Sequence, residues 1–145
     1  MRGALASATF ASASMANRGS DMLAKRTWAV VGNHGKNPVV DQLTERLRQN
    51  DKLVYRVNPY GRPPAEYKSL ADIPDARAIE CIDLVVNPKM GVDVLRECDT
   101  LGIANVWIQP GAGDADLLAE AKKLGIHAHE GCVLVELPPN PTAGL

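Results

Sequence analysis

The feature that most constrains the fold is a junction within residues 27–49, where an apolar segment gives way to a turn and then to a helical pattern. Thr27–Val31 is apolar and rich in residues that favour strands. Glycines follow at positions 32 and 35, and Asn37-Pro38 then supplies a helix N-cap and a first helical residue. A strand, a glycine-containing turn and a helix start with unpaired N–H groups are typical of a nucleotide phosphate site.

The same alternation of apolar strands and amphipathic helices continues along the chain. It predicts four further strands, which are Leu53–Val57, Ile82–Val86, Ala104–Ile108 and Ile126–His129. It predicts helices at Pro38–Gln49, at Val92–Leu101 and from Asp114 or Asp116 to Leu124, and Cys132–Leu137 as a last strand or short helix. Near-continuous apolar strands indicate a parallel sheet covered on both faces. We therefore predict an α/β fold of three layers, with a doubly wound, Rossmann-like parallel sheet of five strands in the order 3-2-1-4-5. Its ligand crevice is expected at the carboxyl ends of strands one and four.

The two ends of the chain differ from this pattern. Residues 1–24 are rich in Ala and Ser and carry no acid before Asp21, as in mitochondrial or plastid transit peptides. The alternatives are a flexible tail, with a cytoplasmic protein, or translation from a later Met. We predict one domain over residues 25–137, preceded by a flexible or targeting segment and followed by a loose tail at residues 138–145.

Composition excludes several classes of partner. The chain of 145 residues carries 16 basic and 17 acidic residues, and aromatic residues make up only 4%. This leaves neither a basic surface nor a stacking surface for nucleic acid. No apolar run approaches the roughly 20 residues that span a bilayer. Three scattered cysteines fit a reducing compartment, and the oligomeric state is open, a homodimer being one alternative.

Each strand that borders the predicted crevice ends in loop-forming residues. These turns offer amides, backbone groups and two or three bases, but no carboxylate pair and no activated serine. We therefore predict ligand binding without catalytic residues. The turns are Gly32-Asn33-His34-Gly35, Asn58-Pro59, Asn87-Pro88 and Gln109-Pro110-Gly111.

The type of nucleotide is indicated by what these turns lack. The glycine spacing is G-x-x-G, so the dinucleotide fingerprint G-x-G-x-x-G is absent. The second strand ends without the acid that would hold a ribose hydroxyl, while Arg56 and Arg62 lie nearby. These arginines favour a nucleotide with an additional phosphate, such as coenzyme A or NADP, although solvated surface charge is an equal alternative.

Histidines near these turns have more than one interpretation. His34 lies in the first turn, where it would donate to a pyrophosphate, sense pH or simply be exposed. His127, His129 and Cys132 are a weak pattern for a metal, because their spacing does not by itself make four ligands converge. No metal site is predicted.

Several motifs resemble those of the small, stand-alone CoA-binding Rossmann proteins, which are related to the N-terminal domain of the succinyl-CoA synthetase α subunit. The motifs are Val57-Asn58-Pro59, Tyr67-Lys68-Ser69-Leu70-Ala71-Asp72-Ile73-Pro74, Ile82–Val86, Val106–Gly111 and Cys132–Glu136. The resemblance extends over almost the whole chain outside the two tails.

The resemblance implies that coenzyme A or an acyl-CoA is the bound cofactor. It assigns the pyrophosphate to Gly32, Asn33, His34, Gly35, Lys36 and Asn37, and the adenosine end to Asn58 and Pro59, beside Arg62. Asn87, Pro88 and Lys89 would contact the middle of the ligand, and Gln109, Pro110 and Gly111 its pantetheine arm. Relatives usually carry a serine and an Arg-Pro-Ser run in the first turn, where this chain has Asn33-His34 and Lys36-Asn37-Pro38.

Three functions stay open at this point. The first is non-catalytic binding of CoA. The second is an enzyme, either an NADP-dependent oxidoreductase or a ligase-like subunit that acts with a partner. The third is a redox or interaction protein, in which Cys132 forms a mixed disulfide with the CoA thiol.

Overall fold

The computed structural model describes residues 18–140 and contains one five-stranded, all-parallel sheet with helices on both faces, as predicted. Its strands are β1 (Thr27–Gly32), β2 (Leu53–Val57), β3 (Cys81–Val85), β4 (Asn105–Ile108) and β5 (His127–Glu130). Its helices are α1 (Pro38–Gln49), α2 (Pro88–Leu101), α3 (Ala115–Leu124) and α4 (Val133–Glu136), with short 3₁₀ helices at Leu70–Asp72 and Ala76–Ala78.

The predicted strand order is wrong. The sheet runs β2-β1-β3-β4-β5, so that β3 pairs with β1 and β4 instead of lying outside β2. Burial explains the arrangement, because four of the five β3 residues are buried, whereas Leu53 of the edge strand β2 is 49% exposed. The topological switch point therefore lies between β1 and β3, and not between strands one and four.

The core has two parts, one on each face of the sheet. On one face, α1 buries Val40, Leu43 and Leu47 against Trp28 and Trp107. On the other face, α2 and α3 cover the second group of strand side chains, which includes Val31, Val57, Ile82, Leu84, Val106 and Ile108. The turns that follow β1 and β3 thus leave towards opposite faces and open a crevice between them.

Helix starts follow the capping residues. α1 and α3 begin after Asn37 and Asp114, whose side chains accept backbone N–H bonds, which decides between the two caps considered for α3. α2 begins at Pro88, four residues before the predicted Val92, because Asn87 caps it in the same way.

Packing begins earlier than the predicted domain boundary at residue 25. Residues 18–23 are helical, Met22 is buried in the core, and Arg18 Nη1 donates to the carbonyl of Ala128 at 3.3 Å. Most of the predicted targeting segment, residues 1–17, and the end of the predicted tail, residues 141–145, lie outside the described residues. Among residues 18–140, no helix is both long enough and apolar enough to cross a membrane.

Candidate functional site

The β1–α1 turn, residues 33–37, is closed by its own hydrogen bonds. The N–H of His34 donates to the carbonyl of Gly32 at 3.0 Å, and those of Lys36 and Asn37 donate to the carbonyl of Asn33 at 3.2 and 2.9 Å. The expectation of unpaired N–H groups in this turn is therefore wrong for these three residues.

The remaining donors near the helix start are bound by side chains. The N–H of Val39 donates to Asn37 Oδ1 at 3.0 Å, and Pro38 has no N–H. The N–H of Gly35 donates to both carboxylate oxygens of Asp41, at 3.0 and 3.2 Å. An acid of this chain thus occupies the place where the sequence predicted a ligand phosphate, a contact that no local motif indicates.

Close packing requires glycine both at position 32, the end of β1, and at position 35 in the turn. A Cβ atom on Gly32 would lie 2.8 Å from a methyl group of Val40 on α1. Gly35 has φ = +81°, and a Cβ there would lie 2.5 Å from Pro64 Cδ. The glycines therefore bring the turn close to α1 and to the loop that follows β2.

His34 is buried beneath the turn and is only 1% exposed. Its Nε2 lies 2.8 Å from the carbonyl oxygen of Val30 and must donate to it, since a carbonyl only accepts. Nδ1 has no hydrogen-bond partner within residues 18–140 and lies 3.9 Å from Asp41 Oδ1. Burial lowers the pKa of His34, so that the ring is neutral at pH 7 and Nδ1 presents a lone pair rather than a proton.

Asn58 joins the first two turns. Its side chain is completely buried, and its Nδ2 donates to Asn33 Oδ1 at 3.1 Å and to the carbonyl of His34 at 3.4 Å. Its Oδ1 accepts the N–H of Tyr60 at 2.9 Å. The amide therefore positions the loop after β2 against the β1–α1 turn, and the side chain is inaccessible to a ligand in this conformation.

A first cavity of about 370 Å³ opens beside this junction, between the loop after β2 and helix α2. Its walls are largely apolar, with charged groups at Lys68, Asp93 and Glu97. Its lining residues are Val31, Val57, Pro59, Lys68, Ser69, Leu70, Met90, Asp93, Val94 and Glu97. Only Pro59 among them was a predicted site residue, although the spacing of Met90, Val94 and Glu97 along α2 marks one helix face.

Glu97, which lines the first cavity, and Glu66, in the loop after β2, are both already bound. Glu97 accepts the N–H groups of Leu70 and Ala71 at 3.2 and 3.1 Å and so caps the first 3₁₀ helix. Glu66 forms an ion pair with Arg56. Partial burial alone would raise the pKa of Glu66, but the hydrogen bond and charge of Arg56 lower it overall.

Arg62 differs from Arg56 in having no carboxylate partner among the described residues. Its guanidinium carbon lies 6.0 Å from the centre of the Tyr60 ring. Tyr60 is 54% exposed, and its hydroxyl lies 3.6 Å from Met90 Sδ at the first cavity. Arg62 is thereby placed near the rim of this cavity.

A second cavity of about 540 Å³ lies between α2 and α3 and also contains Asp93 in its wall. Its other lining residues are Pro88, Lys89, Val92, Arg96, Asp114 and Asp116. Two predicted site residues, Pro88 and Lys89, are thus brought together with acids that the sequence analysis did not place at this edge. That the turns offer no carboxylate pair stays a prediction, because acids in the wall of one cavity do not by themselves form a pair.

The fourth predicted turn has mixed exposure. Gln109 is 3% exposed, and its Oε1 accepts the N–H of Val133 at 3.1 Å, so that its side chain holds α4. Pro110 and Gly111 are exposed. Asn87, in the third turn, uses its side chain to cap α2.

The histidines and cysteines do not form a metal centre. Within residues 18–140, no group of three or more His, Cys, Asp or Glu side chains is arranged to hold a metal ion. His129 instead packs on the Trp107 ring, with 4.4 Å between ring centres, and its Nε2 lies 3.2 Å from Glu136 Oε1.

A cavity of about 590 Å³ lies at the opposite, amino-terminal edge of the sheet, among Arg18, Lys25, Glu80 and His127. Glu80 is engaged there, because it accepts the N–H groups of Thr27 and Arg26, and the bond from Thr27 contributes most to lowering its pKa. Ligands of open parallel sheets bind at the carboxyl ends of the strands, so the first and second cavities are the candidates.

Comparison with known proteins identifies a matching family and solved structures with a similar fold. The sequence profile of the family described as "CoA binding domain" matches residues 26–138. A hypothetical protein from Pyrococcus horikoshii is similar in structure, with a TM-score of 0.71 and 26% identity over 81% of this chain and 85% of that one. A conserved hypothetical protein from Pyrococcus furiosus has a TM-score of 0.66 and 29% identity over 77% and 99%.

A dinucleotide-forming acetyl-coenzyme A synthetase from Candidatus Korarchaeum cryptofilum shares the fold alone. Its TM-score is 0.56 with 18% identity, and the match covers 83% of this chain and 27% of that chain. No curated protein matches the sequence significantly.

Proposed function

Because this chain belongs to the CoA-binding domain family, we propose that it binds coenzyme A or an acyl-CoA at the carboxyl edge of its sheet, without transforming it. The observation that carries this proposal is the first cavity, which opens at the strand ends beside the switch point. It combines an apolar interior, which would accept an adenine base, with one cationic side chain, Lys68, which would pair with a ribose phosphate.

The adenosine is proposed to enter the first cavity. The base would pack on aliphatic walls that include Val57, Leu70 and Val94. Lys68 in the wall and Arg62 near the rim are the cations that would pair with a ribose 3′-phosphate. Arg56 is not assigned this role, because it is paired with Glu66.

The rest of the ligand is proposed to cross the start of α2. Asp93 lines both cavities, so that a ligand leaving the first cavity has the second one within reach. Pro88 and Lys89 line the second cavity and would contact the pantetheine arm. Gln109 would contribute through its backbone, since its side chain holds Val133.

A role in binding rather than catalysis is supported by how the nearby acids are used. Glu97 caps a 3₁₀ helix and Asp114 caps α3, accepting the N–H of Leu117 at 2.8 Å. Cys81 and Cys98 are buried, and burial raises the pKa of Cys98 to about 12, which leaves it protonated and unreactive.

The test is calorimetric titration of the whole chain with CoA, dephospho-CoA and NADPH. We expect CoA to bind with one site per chain and dephospho-CoA, which lacks the 3′-phosphate, to bind about tenfold more weakly, as expected for one lost charge-assisted contact. Arg62→Ala should reduce CoA affinity by a similar factor and leave dephospho-CoA unchanged.

Lys122→Ala is the matched control. Lys122 is an exposed cation in the last turn of α3, and its removal should leave all three titrations unchanged. Absence of binding heat with CoA, or tighter binding of NADPH than of CoA, would contradict the proposal and favour a dinucleotide-dependent enzyme.

A further inference from the structure

The β1–α1 turn already contains an anion that belongs to the protein. Asp41 lies in the first turn of α1 and accepts the N–H of Gly35 with both carboxylate oxygens, at 3.0 and 3.2 Å. Its side chain is 46% exposed, so the contact lies at the open surface of the turn. A diphosphate seeking this N–H group would meet a negative charge in its place.

A second observation points to the same position. His34 Nδ1 is buried, has no hydrogen-bond partner in the described part of the chain, and lies 3.9 Å from Asp41 Oδ1. Since Nε2 donates to Val30, the neutral ring offers Asp41 no proton. The carboxylate thus sits between one backbone donor and an unpaired acceptor.

We propose that Asp41 is the specificity-determining residue of this turn: a resident anion that a phosphate group must displace before it can bind. Free phosphate and pyrophosphate lack the parts that would fill the cavities and are rejected. A ligand whose remaining parts fill the cavities is held near the turn and is admitted. The identity of that ligand as CoA rests on the proposed function, but the displacement of Asp41 does not.

The variant that isolates this role is Asp41→Asn. Its side-chain oxygen still accepts the N–H of Gly35, and its size is nearly the same, so that the charge is lost while this contact is kept. The amide NH2 that replaces the second oxygen is a donor within reach of His34 Nδ1. Glu45→Gln is the matched control, because Glu45 is an exposed acid one turn further along α1 and its loss changes the net charge equally.

The experiment follows the Gly35 amide by ¹⁵N–¹H spectroscopy during titration with inorganic pyrophosphate at constant ionic strength. In the wild type and in Glu45→Gln we expect no saturable shift of this signal. In Asp41→Asn we expect a saturable shift, with an affinity at least tenfold above any seen in the wild type. CoA should likewise bind Asp41→Asn at least tenfold more tightly, and Glu45→Gln within about twofold of the wild type.

Three results would overturn the inference: an unshifted Gly35 signal in Asp41→Asn, equal responses in Asp41→Asn and the wild type, or an equal gain in Glu45→Gln. The two proposals fail separately. If Asp41→Asn binds pyrophosphate at Gly35 while no variant binds CoA, the CoA proposal fails and the role of Asp41 stands. If the wild type and Asp41→Asn bind CoA equally, the role of Asp41 fails and the CoA proposal stands.

Discussion

The β1–α1 turn and the first cavity lie side by side at one edge of the sheet, yet they are built in opposite ways. In the turn, backbone donors are satisfied within the protein, and one of them is held by the carboxylate of Asp41. The first cavity leaves aliphatic surface open between Val57, Leu70 and Val94. The difference is that apolar surface stays open in the first cavity, whereas the turn uses its donors inside the protein, so that any ligand of the turn has to replace a contact that already exists.

The largest effect is expected from Gly32→Val, at the end of β1 where the turn begins. The new side chain would overlap Val40 and crowd Val85, which lies 3.3 Å from the position of a Cβ atom. Overpacking of this kind costs about 3 kcal/mol, and we expect the loss to appear in chemical denaturation. Gly61→Ala, at an exposed loop position with φ = +70° and no neighbour closer than 3.5 Å, controls for the loss of a glycine without overlap. Equal stability of Gly32→Val and the wild type would show that the turn is not closely packed.

A smaller effect is expected from Asn58→Ala, which removes the hydrogen bonds that connect the β1–α1 turn to the loop after β2. The change leaves the side-chain oxygen of Asn33 and the N–H of Tyr60 without a partner, at a cost of about 2 kcal/mol in the free energy of unfolding. CoA affinity should fall as well, because Pro59 at the cavity follows directly. Asn105→Ala, which removes a hydrogen bond to the Glu80 carbonyl at the opposite edge, should leave CoA affinity unchanged. Unchanged CoA binding in Asn58→Ala would mean that the two regions act independently.

The smallest effect is expected at Asp83, a buried polar group whose hydrogen bonds are unsatisfied, whereas the donors of the β1–α1 turn described above are paired. Asp83 in β3 is completely buried, and neither carboxylate oxygen has a hydrogen-bond partner among the residues that the structure describes. This burial raises the pKa of Asp83 well above its usual range. Because the folded state holds the proton more tightly than the unfolded state, stability is greatest below the unfolded pKa. It decreases as pH rises towards the folded pKa.

Asp83→Asn cannot ionise, so its stability should not share this decrease. Denaturation at about pH 5 and about pH 6 should show the variant gaining stability relative to the wild type, by at most about 1.4 kcal/mol over this pH unit. Asp72→Asn, at an exposed position of the first 3₁₀ helix, serves as the control and should follow the wild type. Parallel pH profiles for Asp83→Asn and the wild type would show that Asp83 is ionised or paired in solution.

Prediction from sequence succeeded where a few neighbouring residues decide the outcome. The bounds of α1 and β2 agree with the structure residue for residue, because an Asn-Pro cap and an apolar period operate within one or two turns of chain. The start of α2 was misplaced although Asn87-Pro88 repeats the pattern of Asn37-Pro38. Asn58-Pro59 has the same two residues and begins no helix, so the dipeptide alone is ambiguous.

Prediction failed where segments distant in sequence meet. The place of β3 between β1 and β4 is a choice among pairings that all satisfy the same local pattern. His34, Asn58 and Gln109 were predicted as ligand contacts, and their side chains are buried against protein partners. Whether their backbones contact a ligand stays a prediction.

The amino-acid sequence by itself determined that this chain is an α/β domain with a parallel sheet, and its motifs indicated a CoA-binding family. It could do so because residue periods, caps and turn residues are local properties of the chain. Only the tertiary structure decided that the switch point lies beside β3, that the cavity opens against α2, and that Asp41 accepts the N–H of Gly35 in the β1–α1 turn. Those outcomes depend on which segments, distant in sequence, pack together and exclude water, and local sequence patterns do not determine that packing.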